Sequence, residues 1–263
     1  MKFFFIYLLK LLKKISFIFG YELTIKKKKF TFLNIYKTYK EALTASKNNT
    51  TYVTKEFQKR FKLSTLDDII VTDEFNILPL FCALSIDKFN NNDLRFLDIG
   101  GGHNPFFLYV LKSLGKKYKF QVLEEKNFDI EIPHQYKEYL KYVNKLEDVK
   151  FENLCAVIFG SSIQYIEDYK IVLNKIFENK IKYIFITKTF FTNKSENIIT
   201  LQNNMENVKF PNIFFSFTEL NNLFIDNNYK LIFQTKRMLG KYTHNALDKK
   251  DFFIKDLVYK LDN

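Results

Sequence analysis

Residues 95–106 read RFLDIGGGHNPF, a stretch that leaves the chain few folds to choose from. Arg95–Ile99 is a short apolar run of the kind that forms a buried strand, and Asp98 stands where that strand ends. Gly100, Gly101 and Gly102 follow, able to take positive φ and to let a ligand approach bare backbone. Asn104 is a natural N-cap, and Pro105 suits the first helical position, where a missing N–H costs nothing. The apolar residues of Phe106–Leu114 continue as a helix, with Gly115 at the place of a C-cap glycine. A strand, a glycine loop and a capped helix in that order predict the first βα unit of a doubly wound α/β domain. The plainer alternative is an ordinary glycine-rich turn with Glu124 and Glu125 as solvated charges.

Two ligand classes use such a unit. A dinucleotide loop wants G-x-G-x-x-G/A, its last small residue packing helix against strand, and here that position is Pro105. An S-adenosylmethionine site wants an acid at the end of the first strand, a GxG loop, and a second acid ending the next strand. Asp98 is the first acid. Lys119–Leu123 (KFQVL) reads as the next strand, and Glu124 follows at once, placed for a ribose diol.

These segments resemble the class I S-adenosylmethionine-dependent methyltransferases. More narrowly, the chain resembles a bacterial methyltransferase family often associated with surface-polysaccharide (capsule and O-antigen) gene clusters. The similarity runs from about residue 36 to 236. IYKTYKEALTASKNNTTY is similar to the family's aromatic entry segment, and LDIGGGHNPF and FQVLEEKNF to its two cofactor strands. VIFGSSIQYIEDY is similar to its fourth-strand ending and YIFITKTFF to its fifth strand. Two positions depart from the pattern: Asn104 replaces the third glycine of the loop, and Thr187–Lys188 replaces an acid-plus-arginine after strand five. The resemblance implies a Rossmann-like α/β fold, a mostly parallel seven-stranded sheet with helices on both faces and an antiparallel last strand. It implies S-adenosyl-L-methionine as cofactor.

Composition bounds what else the chain can be. At 263 residues it is one large domain or one domain with an appendage, and 47% hydrophobic residues supply ample core. The net charge of +12 invites nucleic acid or an anionic membrane. Only Arg60, Arg95 and Arg237 are arginines, however, and arginine is the residue of bidentate phosphate and guanine recognition. A specific nucleic-acid reader is therefore disfavoured, and the lysine, asparagine and isoleucine excess fits A+T-rich coding. Cys82 and Cys155 lie in apolar settings without CxxC spacing and read as core thiols of a reducing compartment. His103, His134 and His244 form no ligand cluster and no acid follows strand four, so no metal is expected.

The first twenty residues, MKFFFIYLLKLLKKISFIFG, have no uncharged run near the ~20 residues that a spanning helix needs. As a helix they place Lys2, Lys10, Lys13 and Lys14 within about a third of the circumference, with Ile6 and Phe17 intruding. Such a helix either lies on an anionic leaflet or docks on the protein's own surface. The expected organisation is an amphipathic N-terminal helix over 1–20, a helical cap region over 21–88 and a cofactor-binding domain over 89–263. Helices are expected over 39–46 and 67–86 in the cap region and over 217–228 in the cofactor-binding domain. Strands are expected near 139–143 and over 154–159, 183–187 and 230–234; Phe252–Leu261 fits helix or strand by periodicity, and the resemblance favours the strand.

In an open α/β sheet ligands bind beyond the carboxyl ends of the parallel strands. That rule selects Asp98, Gly100, Gly101, Gly102, Glu124, Ser161 and Ser162 for the cofactor, and Gln164 and Lys188 for the acceptor. His244, in the connection after the sixth strand, is the expected general base, with Tyr165 its competitor. The expected protein is a cytoplasmic O-methyltransferase, peripheral on the inner leaflet if residues 1–20 bind lipid. Its acceptor is a nucleotide-activated sugar or similar small molecule, or a phosphate- or phosphoramidate-type group. An NAD(P)-dependent oxidoreductase and a non-catalytic methyltransferase-like binding protein remain the alternatives.

Overall fold

The structure, a computed structural model, describes residues 31–47, 63–67, 69, 94–115, 117–124, 130–205, 208–237 and 242–262. The expected helix at 1–20, Cys82 and all but two residues of the expected helix over 67–86 lie outside them. The described strands are β1 (Phe32–Tyr36), β2 (Arg95–Ile99), β3 (Lys119–Leu123), β4 (Leu140–Val143), β5 (Leu154–Gly160), β6 (Tyr183–Thr192), β7 (Ile198–Met205), β8 (Val208–Ser216), β9 (Tyr229–Arg237) and β10 (Phe252–Leu261). The α-helices are α1 (Tyr39–Ala45), α2 (Phe106–Leu114), α3 (Tyr169–Glu178) and α4 (Phe217–Ile225).

Seven strands run in the order β4-β3-β2-β5-β6-β10-β9. Pairing is parallel from β4 through β6, and β10 runs antiparallel between β6 and β9, as the resemblance implies for the last strand. The sheet is nevertheless mixed and ten-stranded rather than seven-stranded. β6 does not stop at Thr187 but continues to Thr192, and its tail pairs in parallel with Phe215 and Ser216 of β8. β7 and β8 form an antiparallel hairpin, and β1 adds antiparallel to β7. The region expected to be a helical cap thus contributes a strand as well as α1. Ile198, Ile199 and Thr200, and Ile213 with Phe214 and Phe215, give the hairpin its β-branched and aromatic bias. Pro211 is tolerated because β8 meets β6 only at Phe215 and Ser216, leaving that side of Pro211 without a ladder to feed.

Helices cover both faces of the sheet. Leu97, Ile99, Val157 and Ile184 pack on one side with Leu173, Ile176 and Phe177 of α3 and with Leu220 and Phe224 of α4. Phe96, Phe120 and Ile158 pack on the other with Phe107, Leu108, Val110 and Leu111 of α2. Under the hairpin a third cluster joins Phe32, Phe190, Phe214 and Phe252. Each fully buried side chain of this size stabilises by roughly 1.5–3 kcal/mol relative to exposure, so the aromatic clusters fix the hairpin against the sheet.

Helix ends follow local chemistry with one correction. Gly115 ends α2 in the left-handed region at φ 66°, as predicted, and Thr38 and Ser216 cap α1 and α4 through their hydroxyls. The N-cap of α2, however, is Pro105 in an extended conformation and not Asn104. A proline side chain caps nothing, and the missing acceptor comes from the end of β2.

Candidate active site

Asp98 is that acceptor. Its Oδ2 takes the N–H of Phe106 at 2.6 Å, joining the end of β2 to the first turn of α2. The carboxyl is buried, and burial pushes it up from 3.8 to about 7; the Phe106 N–H pulls the other way and the neighbouring Glu124 adds to the rise.

The glycine loop wraps this carboxylate. Gly100 and Gly102 hold φ of 76° and 55°. A Cβ on Gly100 would stand 2.5 Å from Cβ of Ser162, and one on Gly101 would stand 2.5 Å from Oδ2 of Asp98. The glycines are therefore required by the protein's own packing as well as by any ligand. Gly102 donates its N–H to Oε2 of Glu124 at 2.8 Å and accepts the Tyr142 hydroxyl on its carbonyl at 2.6 Å. Glu124 is itself buried at the end of β3. Burial, with Asp98 and Glu124 nearby, keeps the Tyr142 hydroxyl protonated well above the usual phenol range.

At the carboxyl ends of β2 and β5 and beside the middle of β6 a pocket opens, lined among the described residues by Asp98, Gly100, Gly101, Asn104, Phe106, Tyr109, Ile158, Gly160, Ser161, Thr187 and Lys188. Five expected site residues, Asp98, Gly100, Gly101, Ser161 and Lys188, thus share one wall. Asn104 joins them, and its buried Oδ1 has no hydrogen-bond partner. Phe106 and Tyr109 supply an aromatic side, their rings stacked at 6.1 Å. The pocket is rich in acceptors: a carboxylate, an orphan amide oxygen and a second carboxylate beside the loop.

The remaining expected residues stand elsewhere. Ser162 gives its hydroxyl proton to the carbonyl of Ile99, so it ties β5 to β2. Gln164 is wholly buried; its Nε2 donates to Ser161 O and Oγ at 3.1 Å, and its Oε1 accepts from Thr189 at 3.2 Å. That amide braces the β5 and β6 ends rather than facing the pocket. Tyr165 donates its hydroxyl to Gln202 Oε1 at 2.8 Å, and burial pushes it up to about 12, so at neutral pH it is no base.

His244 is corrected outright as a general base. It is buried among Phe32, Phe214 and Phe252, does not line the pocket, and bridges β1 through Phe32. Nδ1 accepts the N–H of Ala246 at 2.9 Å, so its lone pair is committed; Nε2 carries the proton and meets Thr200 Oγ1 at 3.0 Å. Burial lowers its pKa from 6.5 to about 4. The sequence placed His244 in a long connection, but it could not show that the connection folds back over an aromatic cluster. Tyr142, Tyr109 and Asn104 went unassigned because strand, helix and turn residues of these types carry no spacing signal.

Among the described residues no group of histidine, cysteine, aspartate and glutamate could hold a metal, and no helix is long and apolar enough to cross a membrane. No protein-family model matches the chain and no curated protein matches its sequence. Solved structures do match in chain path. The 1,6-didemethyltoxoflavin-N1-methyltransferase of Burkholderia thailandensis, with bound 1,6-didemethyltoxoflavin and S-adenosylhomocysteine, is 14% identical, covering 72% of this chain and 80% of its own at a TM-score of 0.48. A SAM-dependent methyltransferase from Methanosarcina mazei is 12% identical, covering 67% and 96% at 0.48. The N-terminal domain of EvdMO1, in the presence of S-adenosylhomocysteine and D-fucose, is 10% identical, covering 81% and 100% at 0.48. At such identities the likeness is one of chain path, and the chemistry of this chain rests on its own pocket.

Proposed function

We propose that the chain is an S-adenosylmethionine-dependent methyltransferase acting on a small-molecule acceptor. The observation that carries this reading is the Asp98 carboxylate seated on the first N–H of α2. In dinucleotide enzymes the N-terminus of that helix faces the pyrophosphate. Here a carboxylate holds the seat, Glu124 stands beside the loop, and Asn104 Oδ1 seeks a donor. Such a pocket repels a pyrophosphate and suits a cationic ligand rich in N–H and O–H groups. Asp98, Asn104 and the 100–102 loop would hold the amino-acid portion of the cofactor and Glu124 its ribose hydroxyls. When bound, the cofactor supplies an electrophilic methyl group for in-line displacement. The chain's own part is positioning: Gly100–Gly102 set the backbone close to the ligand, and Phe106 and Tyr109 exclude water from one side.

The finer proposals rest on the sequence. O-methylation of a surface-polysaccharide precursor, or of its phosphate-type decoration, is supported by the resemblance of the 35–52 and 157–169 segments to a family found with such gene clusters. Peripheral association with an anionic leaflet is supported by Lys2, Lys10, Lys13 and Lys14.

Calorimetric titration of the full chain with S-adenosylmethionine, S-adenosylhomocysteine and NAD tests the reading. The first two should bind and NAD should not. Glu124→Ala removes charge-assisted hydrogen bonds on the order of 1.5–3 kcal/mol each, so affinity should fall at least about tenfold. Binding of NAD without S-adenosylhomocysteine would overturn the proposal, and cofactor binding without methylated product from a pool of nucleotide-activated sugars would leave a binding protein only.

A further inference from the structure

A second opening lies at the other end of the parallel strands. Where β2, β3 and β4 begin, a cleft of about 160 Å³ is lined by Arg95, Lys119, Gln121, Glu138, Lys141 and Lys150 among others. Arg95 and Lys119 are the first residues of β2 and β3, so the cleft sits at the amino ends of strands whose far ends carry the candidate active site.

Strand register puts the cations on one face. Arg95 lies beside Lys119, and Gln121 beside Lys141. Side chains two apart share a face of a strand, and Leu97, Leu123 and Val143, two residues beyond Arg95, Gln121 and Lys141, all pack in the α3–α4 core. Lys150 reaches the same cleft from the loop before β5. Its N–H donates to Gln121 Oε1 at 2.9 Å, and its carbonyl accepts from Gln121 Nε2 at 2.7 Å. Val149 and Phe151, on either side of it, are packed in that core, so Lys150 leaves the backbone at a fixed point.

Four cations therefore line one cleft with a single carboxylate, Glu138, among the described residues, a formal charge of +3 (four less one). Among the described residues no carboxylate pairs with Lys141 or Lys150. Like charges on neighbouring strand positions weaken a sheet. Exposed lysines alone would be a solvated face, but these surround an opening, and beside them stands a half-buried arginine in a chain with three arginines in all. The planar fork of arginine matches phosphate oxygens, and lysine adds point charge. The volume equals that of about five waters at roughly 30 Å³ each, which suits one phosphate group with part of its hydration.

We propose that this cleft binds the phosphate group of an anionic ligand. The proposal goes beyond the methyltransferase reading and does not rest on it. The phosphate oxygens accept from the Arg95 guanidinium at the inner end and from Lys119, Lys141 and Lys150, all exposed, at the mouth. Gln121 uses both ends of its amide on Lys150 and acts as a positioning residue. A soluble phosphate ester and a lipid headgroup share this chemistry.

The test follows backbone amide shifts of ¹⁵N-labelled full-length protein during titration with inorganic phosphate, at constant ionic strength because salt screens exposed charges. Saturable shifts confined to residues 95–96, 119–121, 138–141 and 150 are expected. Lys141→Gln and Lys150→Gln should each weaken binding by about tenfold, the loss of one charge-assisted hydrogen bond, with melting temperature unchanged. Glu138→Gln should tighten it, since the opposing charge is gone. Lys175→Gln, on α3, should bind phosphate as the wild type does. Shifts that never saturate, or that spread to lysines elsewhere, overturn the site, as does wild-type affinity in Lys141→Gln and Lys150→Gln. If one of those variants does not fold, the other and Glu138→Gln decide. Vesicles of phosphatidylglycerol in phosphatidylcholine separate the two sources. Vesicle binding that falls in Lys150→Gln and is competed by phosphate assigns a lipid headgroup, and vesicle binding unmoved by Lys150→Gln assigns a soluble phosphate ester.

Discussion

Burial moves Asp98 and His244 in opposite directions on the pH axis. Asp98 is raised from 3.8 to about 7, so between those values the folded protein binds more protons than the unfolded chain. Its contribution to stability therefore falls as pH rises through that window. His244 is lowered from 6.5 to about 4, so the folded protein binds fewer protons there. Its contribution is present above about 6.5 and is lost as pH falls toward 4. Denaturant unfolding at pH 5 and pH 8 separates the two. Asp98→Asn should gain on the wild type by on the order of 2 kcal/mol from pH 5 to pH 8, because the ionised carboxylate is removed. His244→Gln should lose more at pH 8 than at pH 5, by about 1–2 kcal/mol, with cofactor affinity unaffected. Differences that do not vary with pH would remove both assignments.

The element that shapes the site is β6. Its register against β10 shifts between Lys255 and Leu257, so Thr187 and Lys188 together oppose Asp256. Lys188 takes φ of 51°, and its N–H donates to Asp256 Oδ1 at 2.9 Å, while Oδ2 of the same buried carboxylate accepts from Thr235 at 2.8 Å. This bulge bends the strand, so that its front half serves the parallel sheet and its tail serves β8. Asp256→Ala strips the partner from a part-buried N–H at a strained position and should cost on the order of 1–2 kcal/mol. Amide exchange should speed in residues 187–192 and 208–216 ahead of β2 to β4. Uniform acceleration across the sheet would show that the bulge is not a local hinge of stability. Sequence reading ended β6 at Thr187 because Thr-Lys reads as a strand terminus, and a bulge leaves no periodicity to detect.

At the scale of the molecule, the residues described between 31 and 263 belong to one compact unit. Residues 1–30 carry eight lysines and one glutamate, more than half of the net charge of +12. A chain beginning at Thr31 should fold and keep S-adenosylhomocysteine affinity. It should lose the salt-sensitive binding to anionic vesicles that the full chain is expected to show, since lysine attraction is screened within about 8–10 Å at physiological salt. Equal vesicle binding by both chains would take the membrane proposal away from residues 1–20.

The sequence by itself determined the βα unit at Arg95–Leu114, the two acids at strand ends and six of the ten strands, while the antiparallel last strand came from the family resemblance. The first three follow from local terms: apolar runs, turn glycines and capping positions that lie within a few residues of one another. Only the tertiary structure decided that Asp98 caps α2, that Gln164 braces two strand ends, and that His244 is sealed under Phe32. It also decided that the chain from Ile198 to Ser216 folds as a hairpin joined by β1. Each of those depends on contacts between segments tens to hundreds of residues apart, such as Thr200 with Leu33 and Phe32 with Thr243. A side chain's burial, and with it its proton affinity and its partners, is set by what the fold lays over it, and no spacing along the chain records that.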